Sequence, residues 1–583
     1  MYFRDKNFRQ GKVLILSSLI FNVANSALPE EIIKIQQQRL IQEEQRQIQL
    51  QRQNLAKNPQ KPLSTQDLET KTEGGLILGE SPCFKIQKII LVDEKGRTAK
   101  KFSSALSYAK RKSNFNSDIC IGQKSISRIV ALIQNKIIDK GYTTTQVGLM
   151  PQDLNTGILK ITVIAGKVGK INYPNGLNNE IPLSEGDIFN LRDLETGLEN
   201  LQRIPSSKVE MKITPSDIEN SSDIVLNYEK NKIPLRFSLN LDDSGSRSTG
   251  KYLGGASVAV DNPLKLSDIF YASYTHSLGG KKDKFFNELN EKTDSKTHNY
   301  NLHYSFPIHT WQVGVNHSKY NYHQAIAGYA ENYDYNGESK ISDISLSKNI
   351  YRNSHRKIDA KVKLWQRKSK NFIDDAELEI QRKNTAGWAV DLNHREYIND
   401  AILNVNVGYK RGTGIFNAQR AIEEEFDEGT SRMKVISADA GVYIPFSIKN
   451  QKFGFDSNIH SQWNKTPLLT QDKISIGGKN TVRGFDGEVS LSAERGFYSQ
   501  NNLSYQIKDN HQVYLGYDIG RVSGESKDYL IGQTLAGTAL GIKGSLKAGG
   551  NLHYDLFVAK PIINPKNYPT HKNVISFGFN YNF

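Results

Sequence analysis

The sequence predicts a membrane β-barrel of about 16 antiparallel strands, preceded by two small α+β modules and a polar N-terminal helix. Three observations predict it. From residue 234 onward the hydrophobic pattern takes a period of two and holds it to the C-terminus. Ahead of that stretch lie two segments in which strand and helix patterns alternate. The one long apolar run sits at the N-terminus, behind a basic start and ahead of small residues, as in an export signal.

Composition bounds the alternatives. At 583 residues the chain is long enough for several domains. Hydrophobic residues make up only 37% and the mean hydropathy is -0.54. A bundle of membrane helices is excluded, because each helix needs about 20 nearly continuous apolar residues. A barrel escapes that bound, since only every second strand residue faces lipid. The 27 tyrosines, 24 phenylalanines and 45 glycines suit aromatic girdles and close-packed bends. The formal charge of +15 raises the question of nucleic acid, but no basic helix, zinc-finger spacing or aromatic RNA-binding signature is present. Lys and Arg are interleaved with 61 acids, as on solvated loops and in a charged lumen, so no nucleic-acid partner is expected.

Residues 1–27 read as the signal peptide. Arg4, Lys6, Arg9 and Lys12 form its basic start, residues 13–21 an apolar run too short for a bilayer, and Ala24-Asn25-Ser26-Ala27 a cleavage zone. Export makes a disulfide permissible. The two cysteines, Cys83 and Cys120, share one short segment. As an oxidised pair they would contribute about 4 kcal/mol in the chain-entropy model; the alternative is two buried thiols.

Residues 28–57 hold the polar helix, with Pro29 in its first turn and Glu30 and Glu31 at the positive end of its dipole. Its apolar stripe (Ile33, Leu40, Ile41, Ile48) is thin, and glutamine and charge fill the rest. Such a helix belongs in a short coiled coil, in a solvated spacer, or as a plug in a water-filled cavity. Residues 58–79 read as a linker. The first module, 80–165, has a strand at 84–92, helices at 103–112 and 126–140, and strands at 146–150 and 158–164. The second, 166–231, has a strand at 168–173, a helix at 191–201 and strands at 208–213 and 224–228.

Residues 232–583 form the barrel. Leu235, Phe237, Leu239 and Leu241 alternate with Arg236, Ser238, Asn240 and Asp242. The last strand is the cleanest: Ile575, Phe577, Phe579, Tyr581 and the terminal Phe583 share a face opposite Ser576, Gly578, Asn580 and Asn582. One apolar and one polar face, repeated to the end, mark a barrel with a wet interior. Phe583 is the expected C-terminal signal for the barrel-assembly machinery, a partner during biogenesis, and outer-membrane lipid is the partner of the apolar face.

Several local motifs resemble one family. Ser81-Pro82-Cys83-Phe84-Lys85-Ile86 opens the first module, followed by Cys120-Ile121-Gly122, Gly141-Tyr142-Thr143-Thr144 and Pro151-Gln152-Asp153-Leu154. Ser475-Ile476-Gly477-Gly478 precedes Thr481-Val482-Arg483-Gly484-Phe485, and Gly516-Tyr517-Asp518-Ile519-Gly520 lies in a later strand. In this order, over almost the whole chain, they resemble the transporters of two-partner secretion (TpsB proteins, haemolysin-activator/secretion branch), which join periplasmic POTRA modules to a sixteen-strand barrel. The resemblance implies that both modules are POTRA domains, that the polar helix is a plug, and that Cys83 and Cys120 pair. It also implies that Val482, Arg483, Gly484 and Phe485 tip a loop folded back into the barrel, received by a wall motif of Gly516, Asp518 and Gly520.

Strand parity supports the last point. Val513, Leu515, Tyr517 and Ile519 form the apolar series, so Gly516, Asp518 and Gly520 face the lumen. An inward carboxylate between two inward glycines leaves room for an approaching loop, and Arg483 can bind it through two nitrogens. An Arg483–Asp518 pair is expected, the alternative being two unrelated lumen charges. Asp261-Asn262-Pro263 with Ser267-Asp268, and the stretch 200–206, also resemble the family, although ordinary turn and cap chemistry would give the same residues.

The function expected is export, without nucleotide hydrolysis, of an unfolded secreted partner of the TpsA type: a haemolysin, an adhesin, a contact-dependent inhibition toxin or a haem scavenger. No phosphate-binding loop, H-E-x-x-H or G-x-S-x-G occurs, the 12 histidines lack ligand spacing, and no enzyme activity, metal or cofactor is expected. Rival readings are a barrel-assembly insertase of the same superfamily, a solute porin and a barrel-anchored adhesin.

Overall fold

The structure is a computed structural model that describes residues 46, 68–70, 75–77, 79–117, 119–173, 180–230, 233–278, 281–282, 292–293, 295–327 and 332–583. The expected signal peptide lies outside the described residues; the polar helix is described only at Arg46, and the linker only in part.

In the first module the expected strand at 84–92 is two strands, β1 (Cys83–Ile86) and β2 (Lys88–Val92). The chain changes partner at Gln87, whose N–H donates to Gly157 O at 2.8 Å. β1 pairs antiparallel with β3 (Ile119–Gly122), while β2 runs parallel to β5 (Ile158–Ile164), which also pairs with β4 (Gln146–Gly148). β3 is absent from the expectation because four residues carry no periodic signal. Helices α1 (Ser103–Lys112) and α2 (Gln123–Asp139) cover the sheet. α2 starts three residues before its expected position because the Glu80 carboxylate caps it, accepting from the N–H groups of Gly122 (3.0 Å), Lys124 (2.8 Å) and Ser125 (3.1 Å). Ile86, Ile89, Ile121, Ile129, Ile133 and Ile161 are fully buried at the core.

The second module repeats the plan. β6 (Lys167–Asn172) lies parallel to β8 (Ser221–Lys230), β7 (Ser207–Pro215) pairs with β8, and α3 (Leu191–Gln202) packs on this sheet over Phe189, Leu194, Leu201 and Ile224. Asn190 caps α3 by accepting from Arg192 N at 2.8 Å. Gly141 joins the modules. Its φ is 94°, its carbonyl accepts from Leu191 N, and a Cβ there would meet Asn190 Oδ1 at 2.4 Å.

Sixteen long strands then close a barrel, with the two-residue strand Ala376–Glu377 added beside one of them. They are β9 (Leu235–Asp242), β10 (Tyr252–Asp261), β11 (Ile269–Leu278), β12 (Lys296–Ile308), β13 (Trp311–Ala327), β14 (Asn332–Arg352), β15 (Arg356–Ile373) and β16 (Lys383–Ile398). The second half comprises β17 (Ala401–Thr413), β18 (Lys434–Ile448), β19 (Gln451–Asn464), β20 (Arg495–Lys508), β21 (His511–Ser523), β22 (Thr534–Lys547), β23 (Asn551–Ile563) and β24 (Val574–Asn582). Each pairs antiparallel with its neighbours, and β24 returns to β9 between Gly578↔Asp242 and Asn582↔Ser238. The alternation is as expected: Leu235, Phe237, Leu239 and Leu241 are exposed on the outer wall, while Ser257, Asn301, Ser345 and Asp518 are buried inside. On β24, Phe577 and Phe579 lie 5.6 Å apart and Tyr581 and Phe583 4.5 Å apart, an aromatic strip on the lipid face. No helix of the described residues is long and apolar enough to cross a membrane, which says nothing of the strands.

Candidate functional site: the barrel lumen and its inserted loop

The segment between β19 and β20 turns into the barrel. It descends as a hairpin of Ile474–Ile476 against Leu491–Ala493. Glycines with φ values of 109° (Gly477), 122° (Gly478) and 106° (Gly484) form its bends. Val482 and Phe485 join Ile476, Leu491, Val522 and Leu535 in an apolar cluster between loop and wall. The Phe485 ring meets Tyr568 edge-on at 5.5 Å.

The structure brings Arg483 and Asp518 together. Arg483 Nε and Nη2 donate to the two carboxylate oxygens at 2.7 and 2.6 Å, and the Arg483 N–H donates at 2.9 Å. Arg483 is 6% exposed and Asp518 1%. A Cβ at Gly516 would meet the guanidinium at 2.6 Å, and one at Gly520 would touch Val482 at 3.0 Å, so both wall glycines clear space for the tip. Sequence reasoning missed three further contributors. The guanidinium lies over the rings of Tyr514 (5.6 Å) and Phe557 (6.0 Å), and a Cβ at Gly537 would overlap Arg483 O at 1.8 Å. Parity places Tyr514 inward, but no local pattern marks it as a contact of the tip.

Other charges hold the loop at its base and flank. Asp472 lies between Arg367 of β15 (3.2 Å) and Lys410 of β17 (3.3 Å). Glu494 accepts from Lys473 at 3.0 Å and from Ser526 N at 3.1 Å. Lys479 donates to Asp243 at 3.2 Å and to Phe577 O, while Asp243 accepts from Ser576 Oγ at 2.7 Å and Phe577 N at 3.1 Å. The loop thereby touches both strands of the closing seam. Asp243 begins the Asp-Ser-Gly triplet that superficially resembles a serine-protease fragment, and these contacts occupy its carboxylate. The adjacent Asp242 accepts from Arg46 Nε (3.1 Å) and Nη2 (2.7 Å); Arg46 is helical and 4% exposed. Beside it the lumen keeps a cavity of about 770 Å³, lined among others by Arg46, Asp242, Tyr443, Lys479 and Lys543.

The second module grips the short turns of the barrel. Arg203, just after α3, donates to Ser267 O (2.9 Å) and Ser305 Oγ (2.6 Å). Burial pulls its guanidinium down to about 10, against Asp268 and Asp261, which hold it up. Ser206 N donates to Asp261 at 3.0 Å, Ser267 Oγ to Glu180 at 2.9 Å and Asn200 Nδ2 to His309 O at 2.9 Å. Glu199 pairs with Lys357 at 2.7 Å and with Arg352. The stretch 200–206 and the turn 261–268, noted separately in the sequence, are thus two halves of one joint. Cys83 and Cys120 are bonded to each other, their Cα atoms 5.4 Å apart across the β1–β3 pair. Among the described residues no group of three or more His, Cys, Asp or Glu could hold a metal ion.

Comparison with known proteins agrees with this geometry. The model of the family described as haemolysin secretion/activation protein ShlB/FhaC/HecB matches residues 220–544, a ShlB-type POTRA domain matches 106–166, and a second POTRA domain matches 165–215. The chain is 31% identical over 513 residues to the outer membrane transporter CdiB-2 of Burkholderia pseudomallei, covering 85% of this chain and 86% of that one. It is 25% identical to the hemolysin transporter protein HpmB of Proteus mirabilis over 70% and 71% of the two chains. Among solved structures it superposes on CdiB from Acinetobacter baumannii with a TM-score of 0.81 at 28% identity, covering 94% of this chain and 99% of that one.

Proposed function

Since the chain belongs to the ShlB/FhaC/HecB family of haemolysin secretion/activation proteins, we propose that its lumen and two periplasmic modules work as one export path for a secreted exoprotein. It is an outer-membrane transporter of two-partner secretion, with its POTRA modules in the periplasm. The observation that carries this reading is the pairing of a periplasmic arm jointed to the barrel turns with a loop seated in the lumen. A channel for small solutes needs neither.

The unfolded partner docks on the modules, and an open strand edge supports this step. Among the described residues β7 pairs only with β8, and its other edge is free to add an extended peptide by backbone hydrogen bonds. Lys208, Glu210 and Lys212 along it discourage unselective pairing. The partner then threads the lumen, and its folding outside the cell, which prevents return, supplies the drive. At rest two obstructions close the pore. One is the loop seated by Arg483 on Asp518; the other is the polar helix at 28–57 acting as a plug, supported by the burial of Arg46 against Asp242. The Cys83–Cys120 bridge braces the first module, and Phe583 serves the barrel-assembly machinery.

The test compares secreted and outer-membrane proteomes with and without this gene. Loss of one very large polypeptide from the medium, with other barrels intact, is expected. General depletion of outer-membrane barrels would instead identify an insertase and overturn the reading.

A further inference from the structure

The outer wall of β12–β15 carries charge where a barrel meets lipid. Its outside end is fixed by the modules: Asn200 holds the β12–β13 turn at His309, and Glu199 holds the β14–β15 turn at Lys357, so these turns are periplasmic. Outward residues form rows across the strands in register. Trp311 and Lys348 face each other near the turns, with Lys348 Nζ 4.8 Å over the indole. The next rows are apolar, Val313–Leu346–Val362 and then Val315–Ile344–Leu364. One polar row later, Lys319, Lys340 and Lys368 stand side by side: Lys319 is the register partner of Lys340, and Lys340 of Lys368.

That row is short of counter-charge. Adjacent strands are about 4.8 Å apart, and like charges directly opposite one another destabilise a sheet. Glu338 in the row above bonds Lys319 at 3.1 Å and Lys340 at 2.8 Å, leaving one carboxylate for three ammonium groups. Lys370, its register partner, adds another cation that leans toward Glu377 at 3.7 Å. Asp334 is engaged by His323 at 3.0 Å. Among the described residues the flanks bring no acid to this level, since Lys368 faces Asn384, and Tyr300 beside Lys319 faces Tyr274.

The height of the row names its ligand. From 311 to 319 the strand climbs about 26 Å, or about 20 Å along the membrane normal at the usual tilt. An apolar band is about 25 Å tall, so the lysines stand just inside its outer edge, and their long stems carry the ammonium groups to the headgroups of the outer leaflet. We propose that Lys319, Lys340 and Lys368 bind the phosphate groups of the outer-leaflet glycolipid, lipopolysaccharide, which supplies the anions that the sheet itself lacks.

The full-length protein, purified in non-ionic detergent, would be titrated with lipopolysaccharide while its thermal unfolding midpoint is followed. The lipid should raise the midpoint, and in K319Q/K340Q/K368Q the half-saturating concentration should rise about a hundredfold. The same variant without lipid should unfold at the wild-type temperature or higher, because the like-charge row is gone. E338Q provides the opposite change: a lower lipid-free midpoint and tighter lipid binding. Equal half-saturation in wild type and triple variant would overturn the site. So would equal stabilisation by dephosphorylated lipopolysaccharide, or by millimolar inorganic phosphate alone.

Discussion

Gly537 tolerates no side chain, because a Cβ there would sit 1.8 Å from the carbonyl oxygen of Arg483, a backbone atom with nowhere to move. Gly537→Ala is therefore expected to unseat the loop tip although Arg483 and Asp518 remain, and to abolish export while the barrel still assembles, as read by heat-modifiability on gels. The ion pair itself is graded. Removing one partner of a buried pair costs about 3–5 kcal/mol, and water in the lumen lowers that figure. Arg483→Lys keeps the charge but loses the two-nitrogen grip and the stacking on Tyr514 and Phe557, so it should export partially. Export by Arg483→Lys at the wild-type level would remove that geometry from the account. Sequence could indicate the Arg483–Asp518 pair because strand parity aims Asp518 inward. It could not indicate Gly537, Tyr514 or Asp472, whose importance comes from which strand the loop crosses, a fact without local pattern.

At the scale of elements the joint between α3 and the barrel turns decides how the arm is held. Arg203→Ala would remove the cation beside Asp268 and Asp261, leaving Asp261 to Arg236 (3.0 Å) and Asp268 to the hydroxyl of Tyr304 (2.9 Å), and the second module should loosen. Faster proteolysis between the module and β9, with the barrel intact, is the expected outcome, and unchanged cleavage would mean that the surrounding hydrogen bonds suffice. Glu199 gives the same joint a pH dependence. Burial pushes its carboxyl up, but Lys357 and Arg352 outweigh burial and hold it below the usual range. A depressed carboxyl contributes fully above its ordinary value of about 4.3 and loses that contribution as pH falls through its own lower value. Cleavage at the joint should therefore be flat from about pH 5 to 8 and rise only in stronger acid. The helices and long strands were legible because their periods repeat several times. β3 and the break at Gln87 were not, since four-residue strands repeat nothing and the change of partner depends on Gly157, seventy residues away.

For the whole molecule the question is how one wide pore stays shut yet opens for a chain. Period-two alternation made the barrel readable, but what fills it depends on contacts between distant segments. Two of those contacts converge on consecutive residues at the end of β9: Arg46 on Asp242, its last residue, and Lys479 of the inserted loop on Asp243, just beyond it. Both carboxylates are nearly buried, so each cation neutralises a charge that would otherwise stand close to its neighbour. With one carboxylate neutralised, the neighbouring one still attracts both cations, so a single change loosens the closure only in part. Ion conductance in planar bilayers measures this. Asp242→Asn and Asp243→Asn should each raise it modestly, by weakening the polar helix and the loop respectively. Groups in contact do not add independently, with couplings of about 0.5–3 kcal/mol, so the double change should exceed the sum of the singles. Deleting residues 29–54 should raise conductance further and leave Asp242→Asn without additional effect. A strictly additive double variant would show that helix and loop close the pore independently, and unchanged conductance after the deletion would remove the helix from the closure altogether.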